Sequence, residues 1–148
     1  MKIKLTFLLL FIAYCSQAQQ LSNPMKNALK ADDPKSLLLA VKEQGHKIDD
    51  CFEIESVQYS LLALAIKMEK PVIFKALLDQ KVRLNQICSD KSPLMFAAKY
   101  GKLAMVKALV EAGAAVKLTS AENKSALDYA IKYQQKEVEN YLGSLKIK

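Results

Sequence analysis

The sequence predicts an all-α fold, a solenoid of about four stacked helix–turn–helix units. Three observations carry that expectation. An opening motif returns at nearly constant spacing, a second amphipathic run follows each copy, and small residues hold one fixed place in the motif. "SLLALAIKMEK" begins at Ser60, "SPLMFAAKYGK" at Ser92 and "SALDYAIKYQQ" at Ser125, steps of 32 and 33 residues. The leucine two places on (Leu62, Leu94, Leu127), the alanine five on (Ala65, Ala97, Ala130) and the lysine seven on (Lys67, Lys99, Lys132) all recur.

Taken from the start, residues 1–18 read as a signal peptide. Lys2 and Lys4 precede an apolar run from Leu5 to Ala13, and Ser16 and Ala18 stand at small-residue spacing before Gln19. The run is short for a bilayer span. Tyr14 is bulky for a lipoprotein site at Cys15. Cleavage after Ala18 removes two of the 22 basic residues and none of the 15 acidic ones, leaving a net charge of +5. The rest, residues 19–148, is expected to be one repeat domain, exported to the periplasm or secreted, monomeric, and with no stable membrane insertion once the signal is gone. So modest a positive charge does not suit a nucleic-acid partner.

Within that domain the units are expected at about 22–55, 56–87, 88–120 and 121–148. The first is the loosest: "NALKADDPKSLLLAVKEQG" gives a helix, a turn with Asp32–Asp33 before Pro34, a second helix and a Gly45 cap. In the next units the second helices place Ile73, Phe74, Leu77 and Leu78, then Met105, Val106, Leu109 and Val110, at helical spacing. Pro71 and Pro93 suit first turns, and Gly113 suits a helix end. The closing helix, "KEVENYLGSL", has no loop after it. Alanine at 65, 97, 98 and 130 lets first helices approach where leucine would overpack. Small residues on one side and bulky ones on the other imply curvature, with first helices and loop tips lining the concave side.

These units resemble the ankyrin repeat. Ser92-Pro93-Leu94-Met95-Phe96-Ala97 is close to the family opening Thr-Pro-Leu-His-x-Ala, and residues 97–116, "AAKYGKLAMVKALVEAGAAV", are similar to the family core almost throughout. A tetratricopeptide array also has two helices per unit, but its turns are shorter than stretches such as "AAVKLTSAENK". Three positions depart from the ankyrin pattern. Met95 replaces the histidine that hydrogen-bonds the opening hydroxyl residue, and Lys81 and Gln134 stand where glycine is usual. The two glycine replacements cost about 1 kcal/mol or less each if φ must be positive.

The resemblance implies a protein-interaction module and points Lys30, Lys67, Lys99 and Lys132 into the concave groove, with Ala31, Met68, Tyr100 and Tyr133 next to them. Lysines ~10 Å apart repel by only about 0.4 kcal/mol in water, so the ladder is tolerable as a mere solvated face. As a binding surface it suits an acidic, partly apolar polypeptide, Tyr and Met being favoured interface anchors. The expected role is an adaptor. The alternative is an inhibitor or immunity partner of a secreted enzyme or toxin. No catalytic, cofactor or metal site is expected: His46 lacks ligand spacing around it, and no nucleophile triad or phosphate loop is present. Cys51 and Cys88 fall at nearly matching points of two inter-unit loops. Oxidising surroundings favour a bridge worth about 3–4 kcal/mol. A loop separation of roughly 10 Å, set by helix packing, opposes one. Phe52, in the long acidic loop "DDCFEIESVQ", either tucks into the core or projects as an anchor.

Overall fold

Three serines start three helices. Ser60, Ser92 and Ser125 hold extended backbone, and their hydroxyls accept from Ala63 N (3.1 Å), Met95 N (3.4 Å) and Asp128 N (3.3 Å). Each thereby satisfies one N–H that the first turn leaves unpaired. The computed structural model describes residues 19–145; the expected signal segment, 1–18, lies outside them. Four helix pairs follow in order: α1 (Asn23–Ala31) with α2 (Pro34–Glu43), α3 (Leu61–Lys67) with α4 (Pro71–Asp79), α5 (Pro93–Lys99) with α6 (Leu103–Glu111), and α7 (Ala126–Lys132) with α8 (Lys136–Ser144).

The turn inside each pair is left-handed, at Asp32, Glu69, Gly101 and Gln134, with φ of 53°, 55°, 66° and 56°. Lys81 follows α4 with φ 54°, so Lys81 and Gln134 do adopt the left-handed conformation that favours glycine, and Asp32 and Glu69 do so as well at the turn position that Gly101 fills. Gly101 has a second reason to be glycine: a Cβ there would lie 2.1 Å from Oε1 of Gln135, which donates through Nε2 to Lys99 O. Neighbouring units are tied in the same way elsewhere. Lys70 Nζ donates to Lys30 O, Asp32 accepts Val72 N and Ile73 N at the start of α4, and Lys102 pairs with Glu69.

One apolar core runs through all four units. Ala65, Ala97, Ala98 and Ala130 are fully buried, and α3 lies against α5 and α5 against α7. The first unit joins differently, through α2 against α4. Counted back from the left-handed residues, α1 has exposed Lys26 and Asn27 where α3 buries Ala63 and Leu64 and α5 buries Met95 and Phe96. A terminal unit with a polar flank is what an array needs at its end.

The long acidic loop is not irregular: it adds a small two-stranded sheet to the helical solenoid. Cys51–Ile54 (β1) and Val57–Ser60 (β2) pair antiparallel, with Phe52 opposite Tyr59 and Cys51 opposite Ser60. Glu55 and Ser56 both take positive φ, 51° and 64°, the twist a two-residue hairpin turn requires. Gln20 adds a parallel bridge to Glu53 on the other edge, where Glu53 N donates to Gln19 O at 2.8 Å. Phe52 is tucked in, 0% exposed, with His46 edge-on at 5.2 Å.

Candidate functional site: the first-helix face

A lysine at the end of a first helix has its backbone set by the helix and its ammonium free to cross to the next unit. Lys67 Nζ turns back to β2, donating to Tyr59 Oη at 3.0 Å and lying 4.5 Å from that ring's centroid. Tyr59 packs on Phe96 of the next unit at 5.0 Å, and Phe96 stacks with Tyr100 at 6.3 Å, nearly parallel. Lys99 stands between two units, 5.4 Å from the Tyr100 ring and 5.1 Å from Tyr133; Lys132 lies 5.7 Å from Tyr133. All four distances are within cation–π reach. Burial pushes the Tyr100 hydroxyl up to about 12, with Tyr59 and Tyr133 nearby adding to it.

Lys67, Lys99, Lys132, Tyr100 and Tyr133 thus come together on one face. Met68 is half-buried and packs on the core beside them. Lys30 and Ala31 are exposed at the end of α1, outside the stacked set of first helices, so the ladder has three close rungs and an outlier. A second column is not marked by the lysine spacing. The residue in front of each capping serine is Tyr59, Lys91 or Lys124, and Lys91 Nζ lies 5.4 Å from the Tyr129 ring. The serine register that placed the helices also contained that column.

Cys51 and Cys88 are joined by a disulfide, their Cα atoms 5.8 Å apart. The spacing between packed helices does not govern these loops. The hairpin carries Cys51 forward, Gln58 N donates to Ser89 Oγ at 2.6 Å, and a tight turn pairs Cys88 with Lys91. Two acids near His46 hold backbone: Asp49 accepts Arg83 N at 2.7 Å and Asp50 accepts Lys47 N at 2.8 Å. Asn85 repeats the Asp49 contact one unit on, accepting Ala115 N at 2.8 Å. His46 faces Asp50 at 3.9 Å, and no group of three metal-ligating side chains occurs among the described residues. Nor is any helix among them long and apolar enough to cross a membrane.

No curated protein matches the sequence. The family model for ankyrin repeats in three copies matches twice, over residues 15–120 and 62–148, so the two matches together run from residue 15 to the last. Capped first helices, left-handed turns, buried alanines and a family model covering nearly the whole chain agree: this protein belongs to the ankyrin-repeat family and is built as a protein-interaction module.

Proposed function

We propose that the chain is exported and binds an acidic, partly apolar surface of another protein along the first-helix face of its last three units. The layout of residues 1–18 supports export. The observation that carries the binding surface is the placing of Lys99 between the Tyr100 and Tyr133 rings, with Lys67 and Lys132 in the same register on either side. Alternating cations and aromatic faces offer charge to carboxylates and flat amphipathic area to apolar side chains. The cations would govern encounter rate and salt dependence, and the rings how long the complex lasts.

The test uses the chain without residues 1–18, with and without Lys67→Glu, Lys99→Glu and Lys132→Glu together, as bait in the host's envelope fraction. The expected result is a captured protein with an acidic surface, lost by the variant, while the melting temperature stays within a few degrees because the changes are at the surface. Equal capture by both forms would count against the groove.

A further inference from the structure

The outer edge of β1 is covered by the residues that follow the expected signal segment. Glu53 N donates to Gln19 O at 2.8 Å, and Gln20 bridges to Glu53 in parallel, so this stretch serves the hairpin as a short third strand. Leu21 beside it is buried, Ser22 caps α1, and Met25 is fully buried. Gln19 itself is half-buried. Its side-chain oxygen, Oε1, is buried, and among the described residues it has no hydrogen-bond partner.

Cleavage after Ala18 makes Gln19 the first residue of the exported chain. No loose tail then separates the new terminus from the fold, because the first carbonyl is already the one that Glu53 N reaches. An uncapped terminus would place an ammonium on a half-buried residue, where loss of hydration disfavours charge. An α-amine also titrates closer to neutrality than a lysine, so part of it is unprotonated and nucleophilic. In a first-position glutamine that amine and the side-chain amide carbon belong to one residue. Their reaction closes an unstrained five-membered ring, with the advantage of an intramolecular attack. No hydrogen bond from a described residue holds Oε1 away from the α-nitrogen.

We propose that Gln19 is a modification site: after the signal segment is removed, its α-amine attacks its own side-chain amide, and the exported chain begins with pyroglutamate. The bond from the α-nitrogen to Cδ forms and the bond from Cδ to Nε2 breaks. The proton lost by the α-nitrogen goes to the departing nitrogen, and ammonia leaves. Nothing is oxidised or reduced, and no co-reactant is consumed. Oε1 remains as the lactam oxygen, while the terminal charge and the side-chain NH2 donors are removed. Gln19 O is untouched and still accepts from Glu53 N. With no free amine, the ring gives aminopeptidases nothing to start on, so the strand that covers β1 is retained. The hairpin it covers carries Cys51 and Tyr59, and through Tyr59 supports the aromatic row. The inference rests on the export reading above.

The test is to express the full chain with its signal segment in its own host and take the processed protein at once from the envelope or culture fraction. Intact mass and tandem mass spectrometry of the first peptide are the readouts. The expected product starts at Gln19, is lighter by one ammonia than the uncyclised chain from that residue, and resists Edman degradation until treated with a pyroglutamyl peptidase. Gln19→Asn, which could close only a strained four-membered ring, should be cut at the same place and keep a free amine. A terminus at Gln19 that retains its ammonia overturns the modification and leaves the export reading standing. A blocked terminus in Gln19→Asn also overturns it, since the block would not be this ring. A chain that starts elsewhere, or still carries residues 1–18, overturns the cut after Ala18 and this inference with it.

Discussion

The connection from α2 to α3 and the one from α6 to α7 perform the same topological task with different chemistry. Both end in a serine that caps the next first helix, Ser60 or Ser125. The earlier one folds into a hairpin, buries Phe52, is bonded through Cys51 to the following loop, and delivers Tyr59 into the aromatic row. The later one has no strand, and holds its shape with the Ser120–Lys124 turn and the donation from Ala121 to Asp90. It delivers charge instead: Glu122 and Lys124. Capping and helix stacking are thus kept constant while the loops set what the face presents, aromatic at one end and cationic at the other.

The comparison breaks most visibly at the sulfur bond. Replacing Cys51 and Cys88 with alanine should lower stability by about 4 kcal/mol, the chain-entropy value for a 37-residue separation, read by urea unfolding. A loss below ~1 kcal/mol would mean that the hairpin is held by pairing and packing alone. Next is Phe52→Ala, expected to cost about 3 kcal/mol as a fully buried aromatic; no buried aromatic exists in the 112–125 connection to give an equal effect. The hairpin turn can be improved. Glu55→Asn with Ser56→Gly should raise stability by about 1 kcal/mol, since both positions hold positive φ with ill-suited side chains. Asn123→Gly in the later loop should gain less, because asparagine already tolerates φ 57°.

The smallest effect lies in the caps. Asp128 is held below its ordinary range, first through the Ser125 hydroxyl and then the Ser125 N–H, which donates at 2.7 Å. A carboxyl depressed in the folded state contributes stability above its unfolded value of about 4, and that contribution disappears as pH falls through the folded value. Asp128→Asn should therefore flatten the acid end of a stability–pH curve. Met95, in the matching place, accepts Ser92 N through its sulfur at 3.5 Å, and Met95→Leu should leave the acid limb unchanged.

The helices were legible because their signals are local. A capping serine, a proline in a first turn and apolar spacing each act within a few residues, and Asp33 caps α2 just before Pro34 as read. The hairpin is hidden in the sequence because its turn has neither glycine nor asparagine at Glu55 and Ser56, so only the pairing of β1 with β2 identifies it. The lysine column was readable, but its aromatic partners were read only in part. Tyr59 comes to Phe96 and Lys67 through β2, an element the spacing did not predict. Met95 replaces the histidine of the family opening. The structure shows the sulfur accepting from the capping residue in place of the ring.

The Cys51–Cys88 bond has a topological consequence as well as an energetic one. It closes β1, β2, α3 and α4 into a ring. A protease that nicks the backbone anywhere inside that ring leaves one covalent molecule, with the second unit still threaded to its neighbours. The same nick after Lys124 leaves α7 and α8, and with them Lys132 and Tyr133, held by non-covalent contacts alone, so no sulfur bond retains the cationic end of the face after a single cut.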